Sequence, residues 1–127
     1  MKNAFLIMPF EPEFNEIWEF VLKPKICSLG HDIKRADNIF QVGSILEDIL
    51  NLIKTSDYII ADVTKINANV YYELGYAHAL GKKVILITKD LNTLPFDIKQ
   101  QRVIQYKNTA KGSENLKEEL EKFINNI

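Results

Sequence analysis

The chain has 127 residues, with 16 basic against 17 acidic side chains, and 46% of it is apolar. That length suits one domain over residues 1–127 with one site, and the near-zero net charge leaves no overall footprint for nucleic acid polymers or an anionic membrane. One cysteine excludes an internal disulfide and, with two distant histidines, gives no zinc-ligand spacing, so no metal or other cofactor is expected and a reducing cytoplasm fits best.

Ala4 to Met8 is a continuous apolar run of strand length, ended by Pro9, as for a strand buried on both faces. Glu11 and Glu13 follow it, which is not the pattern of a signal peptide. Phe14, Ile17, Trp18 and Val21 recur at helical spacing while Glu13, Glu16 and Glu19 face away, predicting an amphipathic first helix that Pro24 kinks or interrupts. Gly30 closes the helical continuation past Cys27, and His31 to Arg35 form a short second strand. Ser44 to Glu47 is an S-x-x-E capping box for a second helix with Ile45, Ile49, Leu52 and Ile53 on its apolar face. Tyr58 to Ala61 is a third, buried strand, with Asp62, Val63 and Thr64 at its carboxyl end.

Asn69 is the expected N-cap of a helix from Val70 to Leu80, which places Glu73 in the first turn, where the helix dipole favours an anion. Gly81 closes that helix before a fourth strand from Lys83 to Thr88. Leu94 to Asp97 reads as a turn and Val103 to Tyr106 as the last strand. Ser113 is the expected cap of a final helix that turns Leu116, Leu120, Phe123 and Ile127 inward. No apolar run approaches the roughly 20 residues of a membrane helix, so no membrane partner is expected.

Alternating strands and helices predict an α/β fold: a three-layer, doubly wound domain with five parallel strands in the flavodoxin-like order 2-1-3-4-5. Its ligand crevice lies beyond the carboxyl ends of the first and third strands. The expected walls are Met8, Pro9 and Phe10 on one side and Asp62, Val63 and Thr64 on the other, with Asn67 to Glu73 beside them.

The first loop lacks both G-x-G-x-x-G and G-x-x-x-x-G-K-[ST], so Rossmann-type dinucleotide binding and P-loop NTP hydrolysis have no phosphate cradle here. What the crevice gathers is two carboxylates, Glu73 and Asp62, two amides, Asn67 and Asn69, and the rings of Phe10, Tyr71 and Tyr72. Amides and carboxylates bind sugar hydroxyls, rings stack on a flat base, and a positioned carboxylate attacks or stabilises an anomeric carbon with oxocarbenium character. Each residue also has a plainer role. Glu73 can serve only as a helix-start charge, Asp62 can cap the following turn, and asparagines favour turns and caps whatever the function. One of Tyr71 and Tyr72 is expected to pack in the core with its hydroxyl satisfied. His78 lies on a different helix face from Glu73 and reads as packed or at an interface, while Trp18 reads as core bordering the crevice. Arg35 and Asp37 form a surface pair, or Arg35 contacts a phosphate.

The segments DVT..NANVYYELGYAHALGKKVILI, FLIMPF near the start, RAD at Arg35 to Asp37 and LPFD at Leu94 to Asp97 resemble the nucleoside 2-deoxyribosyltransferase-like group. That group includes deoxynucleoside monophosphate N-glycosidases and bacterial proteins called TIR-like or nucleotide-binding. The resemblance spans nearly the whole chain and is most specific at Tyr72-Glu73-Leu74-Gly75 with Gly81-Lys82. It implies Glu73 as a nucleophile forming a glycosyl-enzyme intermediate, and a sugar- or phosphate-contacting loop at Asn67 and Asn69. The implied ligand is a nucleoside, a nucleotide or NAD, the substrate-binding set being Met8, Pro9, Phe10, Arg35, Asp37, Thr64, Asn67, Asn69 and Tyr72. A homodimer or higher assembly is implied as well. One position departs from the group's pattern: where catalysing members place an Asp on the second helix, eight residues before the acid that opens the third strand, this chain has Ile49.

Overall fold

The computed structural model describes residues 1–36 and 45–127. Five strands, β1 (Asn3–Ile7), β2 (Asp32–Arg35), β3 (Tyr58–Asp62), β4 (Lys83–Thr88) and β5 (Val103–Gln105), form one parallel sheet in the order β2-β1-β3-β4-β5. The connecting helices are α1 (Pro12–Ile17), α2 (Lys23–Ser28), α3 (Ile45–Thr55), α4 (Ala68–Ala79), α5 (Phe96–Lys99) and α6 (Ala110–Ile124). This is the flavodoxin-like α/β arrangement that the alternation predicts. No described helix is long and apolar enough to cross a membrane.

Period-two alternation in the strands divides the core into two layers. Ala4 and Leu6 of β1, and Met8 just after it, face Phe14, Ile17, Trp18 and Ile26, together with Leu116 and Leu120 of α6. Phe5 and Ile7 face the other way, toward Ile53 of α3 and Val70, Leu74 and Ala77 of α4. β3 is central and buried along its whole length, which is why Tyr58 to Ala61 is apolar without alternation. Each such Leu, Ile or Phe contributes about 1.5–3 kcal/mol by leaving water.

Pro24 does not break the first helix. Residues Trp18–Leu22 form a π-helical segment between α1 and α2, in which the Lys23 N–H reaches Trp18 O. A wider turn just before the proline relieves the clash of its ring with the preceding carbonyls, so the helical path continues to Ser28. Gly30 and Gly81 take positive φ, 80° and 71°, after α2 and α4, the left-handed conformation that stops a helix and favours glycine.

Two expected caps move. Thr109, not Ser113, caps α6, its hydroxyl accepting from the Gly112 N–H at 2.9 Å. The capping box at Ser44 lies outside the described residues. Leu94 to Asp97 is more than a turn, since a 3-10 turn at Leu91–Thr93 leads through Pro95 into α5. Tyr106 follows the last strand and still donates its N–H to Thr88 O at 3.0 Å, extending the ladder by one residue.

Candidate functional site

β1 and β3 run side by side, with Ile7 opposite Ala61, so the segments leaving their carboxyl ends face each other. Met8 and Pro9 are buried there, while Phe10 is 61% exposed. Asp62, at the end of β3, is 0% exposed. Its Oδ1 accepts from the Thr64 N–H at 2.9 Å and the Thr64 hydroxyl at 2.5 Å, and its Oδ2 accepts from the Tyr106 hydroxyl at 2.5 Å. Burial pushes the Asp62 carboxyl above its ordinary pKa, while these bonds and nearby Lys89 oppose that shift. The Thr64 hydroxyl also accepts from the Lys89 N–H at 3.0 Å, tying the end of β4 to the same point.

The helix carrying the second carboxylate starts earlier than expected. Asn67, not Asn69, is the N-cap of α4: its side chain accepts from the Val70 N–H at 3.0 Å. The apolar period begins at Val70, but Ala68 and Asn69 already belong to the first turn. Glu73 consequently lies in the second turn, beyond the reach of the dipole's favourable end. It is partly buried and, among the described residues, has no hydrogen-bond or ion-pair partner. Burial alone pushes its pKa up to about 7.

The two candidate carboxylates belong to different layers. Asp62 bonds to Tyr106 of the cluster under α1 and α6, whereas α4 packs its Val70, Leu74 and Ala77 on the opposite cluster. Tyr72 is 58% exposed. Tyr71 packs on the second cluster, but its buried hydroxyl has no partner among the described residues, contrary to the satisfied hydroxyl expected. His78 is exposed rather than packed.

Arg35 is buried rather than at the surface, being only 6% exposed. Its Nη1 donates to Asn15 Oδ1 at 3.2 Å and touches Met8 Sδ at 3.7 Å, and its guanidinium lies over the rings of Trp18 and Phe10 at 5.3 and 5.9 Å. A guanidinium is weakly hydrated and stacks on aromatic faces, so it tolerates this burial better than an ammonium. Asp37 lies outside the described residues. Met8, Phe10 and Arg35 thus share one contact group, and Asp62 and Thr64 another.

Sequence reasoning missed a charged bridge over these loops. Lys65 Nζ lies 2.7 Å from Glu11 Oε2 and closer still to Glu13 Oε1, while Lys89 Nζ lies 3.9 Å from Glu13 Oε2. Glu11, then Glu13, push the Lys65 pKa up to about 12, and the Lys65 hydrogen bond holds the Glu13 carboxyl below its ordinary range. Partners 54 residues apart, as Glu11 and Lys65 are, leave no local signal. Among the described residues no cluster of His, Cys, Asp and Glu is arranged to hold a metal ion.

The family model for nucleoside 2-deoxyribosyltransferase matches residues 26–126. The chain belongs to that family. The match includes Arg35, Asp62, Asn67 and Glu73 of this nucleoside 2-deoxyribosyltransferase family member, and leaves Met8 to Phe10 outside it. Among curated protein sequences none matches the chain. Among solved structures it is similar to the 2-deoxyribosyltransferase of Bacillus psychrosaccharolyticus, with a TM-score of 0.66 at 17% identity over 91% of this chain and 90% of that one. It is also similar to the CMP N-glycosidase of Clostridium botulinum, with a TM-score of 0.70 at 19% identity over 94% and 98%. A third likeness is to the TIR domain of a Toll-related receptor from Hydra magnipapillata, with a TM-score of 0.72 at 16% identity over 95% and 99%. At these identities the likeness is one of fold.

Proposed function

We propose that this family member breaks or transfers an N-glycosidic bond of a nucleoside or nucleotide, with Glu73 as nucleophile. The observation that carries this reading is the state of Glu73: partly buried, unpartnered among the described residues, and shifted to about 7 by desolvation. A carboxylate stripped of water and of hydrogen-bond donors is more basic and more nucleophilic than one in solution. A residue serving only the helix dipole would sit in the first turn.

In the proposed step a Glu73 oxygen attacks the anomeric carbon as the C–N bond breaks. The electron pair of that bond leaves on the base, which takes up a proton from solvent. Water or a second base then attacks the same carbon, gives up its proton to solvent and frees Glu73. Asp62 has its oxygens turned to Thr64 and Tyr106, so its proposed part is to fix the Thr64 loop. Exposed Phe10 and Tyr72 offer ring faces for the base, Asn67 and Asn69 flank the sugar, and Met8, Pro9 and Arg35 support the Phe10 wall. NAD, whose nicotinamide bond is also an N-glycoside, belongs to the same substrate class, and a homodimer or larger assembly is the proposed state.

A second reading, a module that binds a nucleotide without cleaving it, is favoured by Ile49. That residue is partly buried against the second core cluster, where catalysing members are expected to carry an Asp. Incubation with deoxynucleosides, their monophosphates and NAD, followed by chromatography, separates the two. Free base from at least one substrate is expected. Ligand recovered unchanged at one equivalent, with no free base, would support the binding module instead.

A further inference from the structure

Unpaired cations gather at the open edge of the sheet, along β5. Lys99, Arg102, Lys107 and Lys111 are exposed there, and no acidic residue stands between Asp97 and Glu114. Elsewhere lysines face carboxylates, as Lys25 does Glu121, Lys65 does Glu11 and Glu13, and Lys122 does Glu119, whereas among the described residues none of these four cations has such a partner. β5 ends the strand order, so its outer side meets no other described strand. The Tyr106 N–H turns inward to Thr88 O, and by the alternation of a strand the N–H and C=O of Val103 and Gln105 point outward. A groove flanks this edge on each face of the sheet. The one beside α6 measures about 520 Å³ and is walled by Gln105, Lys107, Lys111 and Asn115. The one beside α5 measures about 470 Å³ and is walled by Leu91, Leu94 and Val103, with Lys99 and Gln101 next to them.

We propose that this edge takes up, as an added strand, an extended segment of a partner protein in which acidic and apolar side chains alternate. The segment's main chain bonds to the outward N–H and C=O groups of Val103 and Gln105. Successive side chains of a strand point to opposite faces, so one set places carboxylates beside Lys107 and Lys111 while the other lies on Leu91, Leu94 and Val103. The cations select the partner. Lysines along an edge repel a like edge, so a second copy's β5 is turned away while a negatively charged strand is drawn in. Single-stranded nucleic acid fits the edge less well, because it binds by stacking on aromatic rings, and the exposed rings of Phe10, Phe20 and Tyr72 line neither groove.

The test is fluorescence anisotropy of the full chain with a labelled, end-capped peptide that alternates glutamate and valine over about six residues. This peptide is expected to bind at least about tenfold tighter than its counterpart with lysine in place of glutamate. Lys107→Gln together with Lys111→Gln, both at exposed positions, should weaken it about tenfold. Methylating the peptide nitrogens that face β5 keeps every carboxylate and should also cost about tenfold, because the main-chain bonds are lost. In the complex the amides of Val103 and Gln105 gain protection from hydrogen exchange. Failure of the glutamate–valine peptide to bind overturns the proposal. Equal binding of the methylated peptide overturns it too, since charge alone would then explain the affinity. So does an oligothymidylate that binds more tightly than the peptide and displaces it, which would make the edge a nucleic-acid site.

Discussion

The Tyr106 hydroxyl stands 2.5 Å from Asp62 Oδ2, and this bond joins the end of β5 to the end of β3 across β4. It lies in the core, and Asp62 is 0% exposed, so removing the donor leaves a carboxyl oxygen that water does not reach. Tyr106→Phe is therefore expected to cost about 1–3 kcal/mol in urea unfolding. It should also raise the Asp62 pKa further, visible as a shifted carboxyl titration by NMR. A loss below a few tenths of a kcal/mol would mean that the bond does not hold the crevice floor.

The start of α4 makes a paired prediction. Asn67→Ala removes the acceptor for the Val70 N–H and should lower stability by about 1 kcal/mol, while Asn69→Ala, inside the first turn, should cost little or nothing. Thermal or urea unfolding of the two variants checks the order. The reverse order would restore the cap to Asn69 and Glu73 to the first turn.

These shifts show what the sequence makes legible. The strand order follows from the alternation of apolar runs such as Ala4 to Met8 with helical stripes such as that of α6, and the structure repeats it. The expected caps fall one turn or two residues late because apolar periodicity begins with the first large buried residue, whereas Ala68, Asn69, Ala110 and Lys111 are exposed yet already helical. The crevice segments were nameable because topology alone puts the ends of β1 and β3 together. Tyr106 on Asp62, Asn15 on Arg35 and the glutamates on Lys65 were not, since each pairing joins residues 20 to 54 apart through the fold. The burial of Arg35 likewise depends on the rings of Phe10 and Trp18 closing over it.

Two glycines predict opposite outcomes. A Cβ on Gly75, within α4, would meet nothing within 4 Å, so Gly75→Ala should stabilise the chain by about 0.5–1 kcal/mol through helix propensity. A Cβ on Gly112 would stand 2.2 Å from the Lys107 backbone oxygen, so Gly112→Ala should cost about 2–3 kcal/mol as the start of α6 is pushed off β5. Melting temperatures of both variants provide the check.

Glu73 should also mark the pH dependence of stability. Its folded pKa of about 7 lies above the ordinary 4.5, so folding favours the protonated form. The stability this gives is full below pH 4.5 and is lost as pH rises through 7. Glu73→Gln, neutral at every pH, should match the wild type at pH 4 and exceed it at pH 8 by about 1–2 kcal/mol, with solvent screening taken into account. Urea midpoints at the two pH values check the sign. A variant less stable at pH 8 would mean that the carboxylate is held by favourable contacts.

The central claim is that Glu73 breaks the glycosidic bond, and the most direct measurement compares base release by the wild-type chain and Glu73→Gln at pH 8 on a substrate the wild type cleaves. The account predicts free base from the wild type and a rate at least about a thousandfold lower from the variant, as expected for loss of an attacking group. Release by Glu73→Gln at the wild-type rate would contradict it.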